Sequence, residues 1–178
     1  MRRARGLIFL KWFKLAFLVL GLWVFLSACG RPPTVEEELL GKIDTLCKLA
    51  ELKDLDAMMA HFAEAFVDFQ GRTKSGLRSL LSGYLADRRG IVVHRLSAHL
   101  ITLEASRAVA EVEVALSSGQ AEALRRLIKI APDIYRIEIH FVREAQGWLV
   151  AHAAWTSLEL SDLLPESLAI LRKIFPGL

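Results

Sequence analysis

Beyond residue 34 the apolar positions first recur at helical spacing. Leu39, Ile43, Leu46 and Ala50 form one stripe, with Leu40 and Cys47 beside it. Thr34 and Glu37 make a T-x-x-E capping box in front of that stripe, which predicts a helix start there. Asp54 is placed to cap a second helix carrying Leu55, Met58, Met59, Phe62 and Phe66 and ending in the short apolar stretch Phe66 to Phe69. A third helix is predicted from about Ser75 to Arg88, with Leu77, Leu80, Leu81, Tyr84 and Leu85 inward and Gly90 as its stop.

From Ile91 the period becomes twofold. In Arg107 to Leu116 the residues Ala108, Ala110, Val112, Val114 and Leu116 face one way, and Arg107, Glu111 and Glu113 the other. Tyr135, Ile137, Ile139 and Phe141 repeat the alternation against Arg136, Glu138 and His140. Gln146 and Gly147 then turn the chain into Trp148 to Leu158, which is apolar on both faces and reads as the better-covered strand. At least four long strands joined mainly by short connections imply an antiparallel sheet with one wet face. Gln120 to Ile130 reads as a cationic helical excursion ended at Pro132. A last amphipathic helix is expected from about Pro165 to Phe175, with Leu168, Leu171 and Phe175 on one side. The class is therefore α+β: N-terminal helices packed on an antiparallel sheet, with a C-terminal helix.

The first 28 residues have a different character. Met1 to Lys14 is basic and free of acids, and Leu15 to Phe25 is an apolar run of signal-peptide length. Next to it, Leu26-Ser27-Ala28-Cys29 resembles the bacterial lipobox: a branched apolar residue, two small residues that admit the backbone to a peptidase, and the cysteine that takes the lipid. An uncleaved helix over Leu7 to Leu26 would carry Lys11 and Lys14 inside the bilayer, at about 2.5–3.5 kcal/mol for each charge near the middle. The expected organisation is a lipoprotein signal peptide over 1–28, a lipidated Cys29 and tether over 29–34, one domain over 35–160 and the C-terminal helix over 161–178. Gly30 in place of Asp after the cysteine points, within that resemblance, to the periplasmic face of an outer membrane.

The net charge of +3 changes meaning once the leader is set apart. Five of the 23 Lys and Arg precede Cys29, so the remainder carries 18 cations against 20 acids and is near −2. A nucleic-acid partner loses its electrostatic basis. With Cys29 lipidated, Cys47 has no pairing partner and reads as a small buried hydrophobe.

Helices first, then a sheet closing in an aromatic hairpin, resembles the nuclear transport factor 2-like (NTF2-like) superfamily, also called cystatin-like or SnoaL-like. The resemblance rests on Asp54-Leu55-Asp56-Ala57-Met58-Met59 leading to Phe66-Val67-Asp68, on Gly76-Leu77-Arg78, and on Gly147-Trp148-Leu149-Val150 followed by Ala154-Trp155. It covers roughly residues 35 to 160. It implies a curved sheet that, with the helices, encloses a cone open to a small hydrophobic ligand, an active site or neither.

Asp68 stands near the position of a catalytic acid or base in some enzymes of that fold. Its neighbours Val67 and Phe69 are expected to raise its pKa, with a turn carboxylate as the plainer reading. His152 shares its expected strand face with Trp148 and Val150, and so is a second catalytic candidate. Tyr84 and Trp155 are the candidates for lining a pocket. The five histidines form no H-E-x-x-H, and no P-loop, G-x-S-x-G or dinucleotide glycine pattern occurs, so no metal and no cofactor is expected. The leading expectation is a tethered, non-enzymatic binding or scaffolding module. Its partners would be the membrane through Cys29, a small hydrophobic ligand or envelope protein in the cone, and a second copy on the exposed sheet face. The alternatives are an isomerase or lyase acting on a small hydrophobic carbonyl compound, and a purely structural envelope lipoprotein.

Overall fold

The computed structural model describes residues 31–86, 90–118 and 133–175. It divides into two units, Met1–Thr34 and Val35–Leu178. Of the first, only residues 31–34 are described, without regular structure. The leader, Cys29 and the expected excursion at Gln120 to Ile130 lie outside the described residues.

Helix α1 (Val35–Leu52) begins one residue after Thr34 and buries Leu39 and Ile43. Helix α2 (Leu55–Met59) is capped as expected: the Asp54 side chain accepts a hydrogen bond from the Ala57 amide at 3.0 Å. The second helix is shorter than the pattern implied. It stops at Met59, and Phe62 and Phe66 belong to strand β1 (Phe62–Asp68). A spacing of four residues returns to one face of a helix and also to one face of a strand, so this pair carries no information about period. Helix α3 (Lys74–Ala86) comes next, burying Leu77 and Leu85.

Strands β2 (Ile91–Leu103), β3 (Arg107–Ser118), β4 (Asp133–Glu144) and β5 (Gly147–Ser157) complete one five-stranded sheet in the order β1-β5-β4-β3-β2. Every pair is antiparallel except β1 with β5, which is parallel and departs from the all-antiparallel expectation. The reason is that β1 and β5 are joined through the whole intervening chain, so no tight turn fixes their relative direction. Gly147, at φ +111, makes the tight β4–β5 turn that the sequence placed there. Trp148 is fully buried, in keeping with β5 as an interior strand.

The two sheet faces have different fates. One carries Ala108, Ala110, Val112 and Val114 of β3 against the helices, forming the main core with Leu39, Phe66 and Trp148. On the other, a 3-10 turn (Leu160–Asp162) leads into helix α4 (Pro165–Ile174). There Leu163, Leu171 and Phe175 pack on Leu96, Ala115 and Ile134. The face expected to be wet, and to be offered to a second copy, is thus partly covered by the chain's own C-terminus. The start of α4 is pinned by Glu113, which is fully buried. Arg136 donates to Glu113 Oε1 from Nε (3.1 Å) and Nη2 (2.5 Å), the Leu164 amide donates to Oε2 (3.3 Å), and Arg136 Nη2 also donates to the Asp162 carbonyl (2.9 Å). A buried carboxylate is tolerated because its charge and lone pairs are satisfied in this way. No helix among the described residues is long and apolar enough to cross a membrane.

Candidate functional site

Between α1, α3 and the concave sheet face lies a cavity of about 430 Å³. Its size falls within the usual range of small-molecule sites. Helix α1 contributes Ile43, Leu46, Cys47 and Ala50, the continuation of the stripe read from the sequence. Helix α3 contributes Leu80, Leu81 and Tyr84 among others. The sheet supplies alternate residues of β3 and β4, such as Val112, Val114, Tyr135 and Ile137, because side chains on one face recur every second residue. The side-chain hydrogen-bonding groups of this lining are the Tyr84 and Tyr135 hydroxyls, the Cys47 thiol and the Trp155 indole N–H. Among the described residues the lining contains no carboxylate, imidazole, ammonium or guanidinium group. Burial is the main influence on Cys47, and with Asp44 nearby it pushes the thiol up to about 11.

Tyr84 and Trp155, the two pocket candidates, both line this cavity. The two catalytic candidates do not. Asp68 is buried (2 % exposed) in the turn after β1, where Oδ1 accepts from the amides of Gln70 and Arg72, each at 2.9 Å. Arg72 Nε donates to Oδ2 at 2.6 Å. Gly71, at φ +78, closes that turn by donating to the Asp68 carbonyl at 2.9 Å. Burial by itself would raise the Asp68 pKa, as the flanking Val67 and Phe69 suggested. The Arg72 guanidinium and the two amides outweigh it and hold the carboxyl below its ordinary value, which reverses the expected shift.

His152 faces away from the cavity for a different reason. The β4–β5 register pairs Phe141 with Val150 but His140 with His152, so Ala151 is an extra residue on β5. That single-residue bulge inverts the facing of the residues beyond it: Val150, Ala153 and Trp155 line the cavity, and His152 goes to the far face. There His152 Nδ1 donates to the Val67 carbonyl at 2.6 Å, and its ring meets that of His140 edge to face. The sequence reading missed Tyr135 and Cys47 as lining groups. Both sit on stripes already identified, but neither stripe says which part of it faces a void.

No protein-family model and no curated protein matches the chain. Solved structures do. An NTF2-like protein of unknown function from Pseudomonas putida superposes with a TM-score of 0.60 at 18 % identity, over 76 % of this chain and 100 % of that one. A protein of unknown function with a cystatin-like fold from Nostoc punctiforme gives 0.57 at 14 % identity, over 76 % and 98 %. Bd1075 of Bdellovibrio bacteriovorus gives 0.56 at 11 % identity over 68 % of this chain, which spans only 40 % of that longer one. The chain has the α+β NTF2-like, or cystatin-like, fold. At these identities the likeness establishes the architecture, and the chemistry has to be argued from the cavity.

Proposed function

We propose that this chain is an envelope lipoprotein, anchored through lipid on Cys29 at the periplasmic face of the outer membrane, whose NTF2-like domain holds a small apolar ligand without transforming it. The observation that carries the binding reading is the lining of the cavity. Its walls are almost wholly carbon, its few hydrogen-bonding groups are hydroxyl, thiol and indole, and the nearest candidate acid and base point elsewhere. Burying apolar ligand surface there contributes roughly 25 cal/mol per Å² before the cost of immobilisation, so an oily molecule with at most one or two polar atoms is the fitting class. Acid–base turnover of a carbonyl compound requires a proton-transfer group poised near working pH beside the substrate, and among the described residues the lining offers tyrosine hydroxyls and a thiol pushed to about 11 for that role.

The test is native mass spectrometry of the purified chain with and without added long-chain fatty acid and fatty alcohol, repeated on Ala50→Trp, which fills the cavity from α1. Retention of one apolar molecule by the wild-type chain and its loss in the filled variant, at equal helix and strand content, is the expected result. Turnover of a hydrophobic carbonyl compound by the purified chain, abolished by the same filling, would replace the binder with an enzyme.

A further inference from the structure

The cavity loses cover in one direction along the sheet. On β4 the lining residue Ile139 is buried, while Ile137 and Tyr135 are half-buried. On β5, Val150 and Ala153 are buried and Trp155 is half-buried. On β3, Val112 and Val114 are buried and Leu116 is half-buried. The register pairs Val114 with Tyr135 and Ile137 with Trp155, so all three strands open toward the same end. At that end Leu85 of α3 and Ile91 of β2 stay buried, which places the mouth on the β4–β5 side, beside Tyr135 and Trp155. The two ends also differ in chemistry. Phe62, Val150 and Ile139 make the closed end carbon, whereas Tyr135 and Trp155 bring a hydroxyl and an indole N–H to the mouth. They are diagonal neighbours on one sheet face, a separation that aromatic side chains span. Neither polar group has a hydrogen-bond partner among the described residues.

We infer that the cavity takes a single-chain amphiphile tail first, and that Tyr135 reads its head, one uncharged acceptor oxygen, by donating the phenolic hydroxyl to it at the mouth. This rests on the binding reading above and adds the ligand's orientation and head chemistry. An alkyl tail directed to the closed end removes the most apolar surface from water. A head oxygen placed there instead would lose its hydrogen bonds among Phe62, Val150 and Ile139, which is costly, whereas at the mouth it meets a donor and stays near solvent. Trp155 supplies a second N–H beside Tyr135, and an indole nitrogen only donates, which favours a ketone or ester oxygen as the head. Its ring is steadied by Phe69 and by Arg72. A carboxylate head would need a cation to offset its lost hydration, and the described lining provides none. Tyr135 is therefore a specificity-determining residue.

Competition read by native mass spectrometry tests this on the purified full-length chain. Decyl methyl ketone, dodecane and dodecanoate, which have equal carbon counts and different masses, are offered together at equal concentration. The wild-type chain should retain the ketone about three- to tenfold more than the alkane, the worth of one neutral hydrogen bond, and more than the carboxylate. Tyr135→Phe keeps the ring and removes the donor, so it should abolish the ketone's advantage while alkane retention is unchanged. Unchanged alkane retention also shows that the variant keeps its fold and its cavity. Equal retention of ketone and alkane by the wild-type chain, a preference for the carboxylate, or an undiminished ketone preference in Tyr135→Phe overturns the head assignment and leaves the binding reading standing. Retention of none of the three by the wild-type chain overturns both.

Discussion

Arg72 sets its guanidinium carbon 5.2 Å from the centre of the Trp155 ring while its Nε donates to the buried Asp68 carboxylate at 2.6 Å. Phe69 meets the same indole edge to face at 4.8 Å. Asp68 is thus a positioning residue for one wall of the cavity. Asp68→Asn removes the charge that holds Arg72, and is expected to cost about 1–3 kcal/mol, because Arg72 is partly solvated and does not become a fully buried orphan. Chemical denaturation measures the loss, and retention of apolar ligand by the folded protein should survive it. The sign with pH is set by the lowered pKa of Asp68. Its contribution is complete above the unfolded value of about 3.9 and disappears as pH falls through the lower folded value. The acid limb of the wild-type stability curve should therefore be steeper than that of Asp68→Asn.

His61 acts at higher pH. Burial first, and the nearby charge of Lys42 second, lower its pKa from the ordinary histidine value, and Lys42 Nζ lies 3.4 Å from its Nδ1. Between the folded value and the unfolded value of about 6.5 the unfolded chain binds more protons, so stability falls as pH is lowered through that window. Melting temperature should drop on acidification from pH 7 to 5, and His61→Gln should flatten that stretch of the curve. An identical slope in the variant would remove His61 from the account.

Cys47 reports on the cavity. With its pKa at about 11, only about one thiol in a thousand is ionised at pH 8, so iodoacetamide should label the folded chain far more slowly than the unfolded one. A bound apolar ligand, sharing the cavity with Cys47, should slow labelling further. Peptide mass mapping with and without fatty acid reads both effects.

Glu113 should be the most sensitive position on the far sheet face. Glu113→Gln leaves Arg136 without its strongest partner and weakens the contact to the Leu164 amide, at a cost of about 2–4 kcal/mol. Hydrogen exchange should quicken over residues 160–175 before it quickens in β3 and β4, because α4 depends on that carboxylate and the central strands are paired on both sides.

The anchor is tested by Cys29→Ser. The change removes the thiol that takes the lipid, so incorporation of labelled fatty acid should cease and the chain should leave the membrane fraction. Persistent labelling would overturn the assignment of the lipid to Cys29.

Much of the architecture was legible in the sequence because period and punctuation are local. The α1 stripe, the Asp54 cap, the turn at Gly147 and the alternation of β3 and β4 all express contacts between a residue and its near neighbours, and each appears where the pattern placed it. Tyr84 was readable as a lining group because it combines an apolar ring with a polar tip on an inward stripe, whereas Trp155 was named for its ring and polar tip alone and meets the cavity only because the Ala151 bulge reverses the strand's facing.

Tertiary structure decided the rest, at points where a local pattern is compatible with two arrangements. Phe62 and Phe66 fit one face of a helix or of a strand, and only pairing with β5 made them a strand. Asp68 sits among apolar neighbours in sequence, yet its carboxyl is governed by Arg72 and two amides brought round by the turn. His152 was assigned the cavity face by counting residues, and one bulge reversed it, because strand facing has a period of two and a single inserted residue inverts everything beyond it. The amino-acid sequence by itself determined which stretches are helix or strand and which of their faces are apolar. Which of those faces meet, which enclose a void and which polar groups reach it depended on contacts between residues far apart in the chain, and those carry no local signature.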